Sequence, residues 1–299
     1  MITLEDVSVQ YGAVRVLERI TLDLPAHGVT GLVGESGAGK STLLRVIAGL
    51  LSPSAGRVAV AGGDGPGERR GHGLAFRRRV QMLLQDAAGS LSPRMTVRRL
   101  LAEPGLIHGL KPPGDLVARL GLTGLLDRYP HQLSGGQARR VAVARVFHLA
   151  PALLLADEPT AGLDLSVQGE VLNLMMEQHR AGLTILISSH NLNVIRRISS
   201  QVVVMYLGEV VEVAATAALY RTPAHPYTAA LLSANPAIDP ARRRPRLTLS
   251  GDIPSVVNPP PGCRLHTRCF QAEARCRTEA PMLRPFPGQR SVRCHFPLA

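Results

Sequence analysis

The stretch GLVGESGAGKSTLL, residues 31–44, constrains this chain more than any other. An apolar run, VTGLVG, leads into it, and KSTLLRVIAGLL leaves it with helical spacing until Ser52-Pro53 stops the pattern. Gly34 to Ser41 fits G-x-x-x-x-G-K-[ST] between a strand and a helix, the context in which that pattern cradles phosphate. Glycines let successive backbone N–H groups turn inward round a polyphosphate without Cβ clashes. The helix N-terminus adds partial positive charge. Lys40 is itself unusual: of 34 Lys plus Arg, only Lys40 and Lys111 are lysines. A slim ammonium enters such a nest where a wide guanidinium fits poorly. Ser41, with Thr42 beside it, suits a Mg²⁺ ligand. The motif marks a nucleotide triphosphatase without saying which one.

Around this loop, strand and helix patterns alternate. Ile2, Leu4, Val7 and Val9, then Ile20, Leu22 and Leu24, read as short edge strands, and RVAVAG as a further strand. VQMLLQ, PALLLADEP and LTILISSH read as buried strands, and SVQGEVLNLMMEQHR as an amphipathic helix. The alternation predicts an α/β fold with a parallel sheet covered on both faces. Residues 96–150 carry helical spacing broken by Pro and Gly and predict a mostly α subdomain. GGDGPGERRGHG, residues 62–73, reads as a surface loop. After about residue 235 the pattern lapses into Pro and Arg (DPARRRPR, NPPPGC), and all four cysteines follow, which predicts a linker and a small module.

Composition excludes some classes. Hydrophobic content of 45% with 19% charged fits a globular chain. Aromatics at 3%, with no Trp, leave few residues to stack a base or sugar. No run of about twenty uncharged apolar residues is present to span a bilayer. MITLEDVSVQ lacks the basic and apolar regions of a signal peptide, so a cytosolic protein is expected. The net charge of +12 is uneven: residues 241–299 hold eleven Arg against Asp252, Glu273 and Glu279. Such a tail suits phosphates or an anionic membrane face, or is a solvated surface of an Arg-rich protein.

Further motifs name a family. Asp157-Glu158 ends an apolar strand, where one acid can hold a Mg²⁺ shell and the next can deprotonate a water. Leu133-Ser134-Gly135-Gly136-Gln137 opens a predicted helix over 137–149, offering free N–H groups at a positive helix end. About twenty residues before ADEP, it resembles the signature of ATP-binding-cassette (ABC) ATPases. The resemblance covers nearly all of residues 1–235 with the motifs in family order. It implies a P-loop ABC nucleotide-binding domain over 1–235, with an antiparallel β subdomain and a helical subdomain at about 86–150. It implies that Tyr11 stacks on adenine and that Gly34, Glu35, Ser36, Gly37, Ala38, Gly39, Lys40, Ser41 and Thr42 form the phosphate loop. Gln85 touches Mg²⁺ and senses a membrane partner, and Asp157 is the Mg²⁺ acid. Glu158 is the catalytic base, Asp164 crosses a dimer interface, and His190 contacts the γ-phosphate. The signature of one subunit completes the site of another, so a dimer is implied. Two departures, Ala138 after the signature and Asn191 after the histidine, touch no implied catalytic atom.

Three stretches narrow the family. QDAAGSLSPR from Gln85, HPYT from His225 with the following ALLSANP, and GDIPSVVNPPPGC from Gly251 resemble segments of oligopeptide, dipeptide and nickel importer ATPases. The resemblance implies ATP and Mg²⁺, a paralogous second ATPase subunit, two permeases, an external solute-binding protein and a peripheral place on the cytoplasmic membrane face. Peptides lead as cargo, with nickel or another small solute as the alternative. A DNA-repair or chromosome-handling ABC ATPase is the reading from another class. It suits the basic charge, but no long coiled coil separates loop and signature here, so no nucleic-acid partner is expected.

Cys263, Cys269, Cys276 and Cys294 follow C-x5-C-x6-C-x17-C within residues 236–299. Cytosol disfavours disulfides, and four thiolates suit Zn²⁺ or an iron–sulfur cluster. No pair has the tight C-x2-C spacing common in zinc sites, and importer ATPases with this tail resemble [4Fe–4S] carriers. The cluster is therefore preferred, with Zn²⁺ or bare thiols as alternatives. His266 and His295 are possible zinc ligands. Arg264, Arg268, Arg275, Arg277 and Arg293 are placed to offset a cluster's negative charge.

Overall fold

Hydrophobic alternation builds the first sheet, and two residues interrupt it. Strands β1 (Ile2–Tyr11) and β2 (Val14–Leu24) pair antiparallel. The period of two skips between Leu4 and Val7, where Asp6 sits at φ 46° and the pairing shifts. Arg19, at φ 44°, separates the buried Leu17 and Ile20 in β2. An extra residue at each bulge restores the same face to the core. The expectation of short edge strands is corrected here. The strands run ten and eleven residues, and β1 lies inside a four-stranded sheet ordered β2-β1-β4-β5, with β4 at Ala55–Val60 and β5 at Gly63–Asp64. Strand β3 (Val29–Val33), buried at every residue, feeds the glycine loop, and α1 (Lys40–Ile47) follows.

The computed structural model describes residues 1–60, 63–64, 73–87, 89–235 and 247–298. It divides into two units, Met1–Glu68 with Ser188–Ala299, and Arg69–Ile187. Most of the expected 62–73 loop and the DPARRRPR linker lie outside the described residues.

The second unit comprises α2 (Leu74–Arg79), β6 (Val80–Leu83), α3 (Val97–His108), α4 (Gly114–Arg119), α5 (Gly135–His148), β7 (Leu153–Asp157) and α6 (Leu165–Arg180), closing with β8 (Thr184–Ser188). Its strand order is β8-β7-β6, with β6 and β7 parallel. Strand β7 is buried throughout, whereas β6, expected to be buried, is only half so. The helical pattern at 96–150 is realised as α3, α4 and α5. Arg145 of α5 ties α3 in place, donating to the Leu100 carbonyl (2.7 Å) and Glu103 (2.6 Å).

The first unit resumes with α7 (Leu192–Ile198), β9 (Gln201–Tyr206), β10 (Glu209–Ala215), α8 (Thr216–Arg221), α9 (Pro226–Ser233), α10 (Ala274–Thr278), β11 (Arg284–Phe286) and β12 (Arg290–Val292). Its strands run β11-β12-β10-β9-β3. Only the β3–β9 pairing is parallel; β9–β10, β10–β12 and β11–β12 are antiparallel. The sheet expected to be parallel is thus mixed. Leu207 (φ 43°) and Gly208 (φ 80°) make the reversal, a two-residue turn that needs positive φ at both positions. The cysteine-bearing tail extends this sheet through β12, whose Val292 pairs with Glu212.

Glu212, fully buried on β10, anchors the chain that follows. Its carboxylate accepts the N–H groups of Ala224 and His225, each at 2.9 Å. His225 caps α9, its Nδ1 accepting from the Tyr227 N–H (3.1 Å), and Pro226 fills the first turn. Complete burial pushes the His225 imidazole down to about 3 from 6.5, so it stays neutral in the fold. Below pH 6.5 the unfolded chain binds a proton that the folded chain refuses, and stability falls as pH drops toward 3. His225→Asn keeps a capping acceptor but removes the titration. Urea unfolding across that pH range is expected to give a shallower pH slope for the variant than for the parent chain.

Candidate functional site

The glycine loop is shaped where it leaves the sheet. Gly34 holds φ 155° at the end of β3, and a Cβ there would lie 2.3 Å from the Met205 carbonyl oxygen. Gly39, at φ 97°, precedes α1, and a Cβ would lie 2.7 Å from Leu17 Cδ2. Backbone excludes a side chain at Gly34, and the φ at Gly39 strains any residue but glycine. Lys40 Nζ donates to the carbonyls of Gly34 (2.8 Å) and Glu35 (3.0 Å), so the ammonium ties the loop's start to its end. Ser36 and Gly37 are exposed, Ala38 is buried, and Ser41 and Thr42 are half-buried in the first turn of α1.

Glu35 is held twice. Its N–H donates to Tyr227 Oη at 2.8 Å. Its carboxylate receives both ends of the Arg268 guanidinium, at 2.8 and 3.2 Å. Neither partner was assigned a loop role from sequence, although Tyr227 stands in the HPYT segment. In the same unit Tyr11 ends β1 and is 48% exposed. His190 is exposed just after β8, and Asn191 caps α7 through the N–H groups of Asn193 and Val194. The residue that departs from the family pattern is thus used as a helix cap.

The second unit carries the other predicted residues. Ser134 and Gln137 form a reciprocal cap: Ser134 Oγ accepts from the Gln137 N–H (3.2 Å), and Gln137 Oε1 accepts from the Ser134 N–H (3.0 Å). The cap draws Gly135 and Gly136 into the first turn, so α5 starts at 135 rather than at the expected 137. Asp157 ends β7, buried, and Glu158 follows at φ 48°, a conformation costly for a side chain and characteristic of functional turns. Asp164 caps α6, accepting from the Val167 N–H at 2.9 Å. Gln85 is exposed beyond β6. Arg139, buried on α5, donates to the carbonyls of Leu84 (2.6 Å) and Gln85 (2.5 Å), fixing the backbone that carries Gln85. Sequence reasoning missed Arg139; its signal was an arginine between the apolar Ala138 and Val141.

All four cysteines line one small cavity in the tail, with His266 and His295. Among the described residues, however, no three His, Cys, Asp or Glu side chains form a group able to hold a metal ion. The expected four-thiolate centre for [4Fe–4S] or Zn²⁺ is therefore not formed in this structure. Burial pushes the Cys263 thiol up to about 12, Cys294 up to about 11, and Cys269 upward. Four of the five arginines expected to offset a cluster, all but Arg277, pair with carboxylates instead. Arg264 pairs with Glu18 and Glu209, Arg268 with Glu35, Arg275 with Glu279, and Arg293 with Glu209.

The chain matches the ABC transporter family model over residues 17–161 and the model of the oligopeptide/dipeptide transporter C-terminal region over 211–276. It is 43% identical to a probable peptide ABC transporter ATP-binding protein, y4tS, of Sinorhizobium fredii, covering 94% of this chain and 82% of that one. It is 41% identical to the di/tripeptide transport ATP-binding protein DppF of Pseudomonas aeruginosa, covering 95% and 91%. Among solved structures, the dimeric post-hydrolysis state of the ATP-binding cassette MJ0796 bound to ADP and Pi superposes with TM-score 0.66 at 25% identity, covering 72% of this chain and 99% of that one.

Ser134→Ala removes the acceptor for the Gln137 N–H. A lost cap of this kind costs about 1 kcal/mol. Amide hydrogen exchange at Gln137 is expected to quicken about fivefold in the variant, with the last turn of α5 unchanged.

Proposed function

The chain belongs to the ABC transporter family of ATP-binding proteins, and from that premise we propose how its residues drive import. It is the ATP-binding and ATP-hydrolysing subunit of a peptide importer. One observation carries this reading: a phosphate loop closed by Lys40 shares the chain with an oligopeptide/dipeptide transporter C-terminal region. Relatives at 41–43% identity carry peptide-transport names, which disfavours nickel import and chromosome handling.

The bends at Gly34 and Gly39, both at positive φ, suit a loop wrapped on a polyphosphate. In this reading the amides of Gly34–Gly39 and the Lys40 ammonium bind the β- and γ-phosphates, and Tyr11 stacks on adenine. Ser41, Gln85 and Asp157 would hold Mg²⁺, which supplies charge neutralisation on the phosphate oxygens. Glu158 accepts a proton from water as its oxygen attacks the γ-phosphorus; the bond to the β,γ-bridging oxygen breaks, leaving ADP and phosphate. His190 donates a hydrogen bond to the γ-phosphate. Ser134, Gly135, Gly136 and Gln137 bind the triphosphate held by a second ATPase subunit, and Asp164 lies along that dimer contact.

The second subunit is a paralogue, and Gln85 faces a helix from one of two permeases fed by a solute-binding protein. The chain works peripherally on the cytoplasmic membrane face; no helix among the described residues is long and apolar enough to cross a membrane. Residues 1–235 form the ATPase domain, with its helical subdomain at about 86–150, and 236–299 the extension.

Cys263, Cys269, Cys276 and Cys294 would be the ligands of a [4Fe–4S] cluster in this reading; their convergence on one cavity supports it, and their side chains would have to close in from the spacing seen here to bind it. Anaerobically purified protein is expected to carry iron with acid-labile sulfide; stoichiometric zinc without iron, or no metal at all, overturns the cluster. Glu158→Gln is expected to bind MgATP with unchanged affinity while hydrolysing it at least about 100-fold more slowly. Equilibrium binding and single-turnover phosphate release measure both, and unchanged turnover removes Glu158 from its role.

A further inference from the structure

Residue 35 is the only carboxylate in the 31–44 stretch, one position inside the loop that cradles phosphate. An uncompensated carboxylate there repels a triphosphate, and the repulsion grows with each phosphate charge. The chain answers with residues drawn from far along its sequence. Arg268, 8% exposed, spans the Glu35 carboxylate with two hydrogen bonds. Its Nη1 also donates to Tyr206 Oη (3.3 Å), and its guanidinium carbon lies 5.9 Å from the Tyr206 ring centroid. Tyr206 in turn packs on Tyr227, ring centroids 4.7 Å apart, and Tyr227 Oη accepts the Glu35 N–H. Glu35 is therefore gripped at its backbone and at its side chain.

We propose that Arg268 and Tyr227 are positioning residues of the phosphate loop, and that through Arg268 the C-terminal extension sets affinity for the nucleoside triphosphate. This rests on the ATPase reading above. The path into the extension is short. The Arg268 N–H donates to the Leu265 carbonyl (2.8 Å), and its carbonyl accepts from Ser250 (3.3 Å). The Cys263 N–H donates to the Cys276 carbonyl (2.8 Å). Arg268 thus sits in the folded segment between Cys263 and Cys269, whose backbone bonds hold the guanidinium at Glu35. A bidentate guanidinium neutralises the carboxylate and fixes its direction together. A lysine in its place neutralises without fixing.

The test is calorimetric titration of the full-length protein with MgATP and MgADP, with thermal melting to verify folding. Arg268→Met is expected to weaken ATP binding about tenfold, and ADP binding less, because ADP carries less negative charge. Adding Glu35→Gln to Arg268→Met is expected to restore ATP affinity to within about threefold of the parent. A merely structural role for Arg268 gives no such rescue. Tyr227→Phe, which keeps the packed ring, serves if Arg268→Met fails to fold, and is expected to weaken ATP and ADP binding alike about threefold. ATP affinity equal to the parent in a folded Arg268→Met, no rescue by Glu35→Gln, or a folded Tyr227→Phe indistinguishable from the parent overturns the proposal. Those results leave the ATPase reading standing, whereas a parent protein that binds no MgATP overturns both.

Discussion

The parallel pairing of β3 with β9 is the constraint on which the loop depends. It sets Thr30 to Val33 beside Gln201 to Val204, residue for residue. The next residue of β3 then emerges against Met205, where the carbonyl leaves no room for a side chain. The chain must turn out of the sheet with a glycine. Once it has turned, Lys40 satisfies the carbonyls of Gly34 and Glu35 from the other end of the loop. A buried strand, one forbidden Cβ and one ammonium define the loop before any nucleotide arrives.

The tail makes its strongest connections through buried charge. Arg264 and Arg293 share Glu209, Arg264 reaches Glu18, and Arg268 takes Glu35. Such pairs contribute little net stability, because desolvation offsets most of their attraction. Removing one partner is another matter, since it strands a buried charge. They join the tail at Arg264, Arg268 and Arg293 to carboxylates on three separate stretches of the chain, Glu18, Glu35 and Glu209. Glu212 does the same work with neutral donors, holding the backbone of Ala224 and His225 where α9 begins. Tyr227 of that helix and Arg268 of the docked tail reach the same loop residue, Glu35.

What the sequence disclosed was local. The glycine loop, the helix opening at Ser134 and the buried β7 all depend on neighbours within a few residues, and their patterns could be read directly. The bulges at Asp6 and Arg19 hid the length of β1 and β2, because each shifts the alternation by one residue and makes a long strand look like two short ones. The Leu207-Gly208 reversal hid the mixed sheet, since a turn with one non-glycine residue at positive φ carries a weak signal. The partners of Glu35 were illegible for a different reason. They stand 192 and 233 residues away, and nothing in the composition around Arg268 distinguishes it from its neighbouring arginines.

Those neighbours bear on how the net charge of +12 should be understood. A basic tail invites an account in which it meets phosphates or an anionic surface. Arg264, Arg268, Arg275 and Arg293 are paired with carboxylates. Arg284 donates to the carbonyls of Cys294 and His295, and Arg290 to those of Pro287 and Thr222. A guanidinium paired with a carboxylate has its field largely cancelled close by, whereas one bonded to carbonyls keeps its charge but has its donors committed. For these residues arginine is structural material, chosen where five donors can tie several backbone carbonyls or a carboxylate at once. One of the chain's two lysines stands in the loop, where a slim ammonium fits and a fork would not, while the tail's forks stand where several acceptors must be joined.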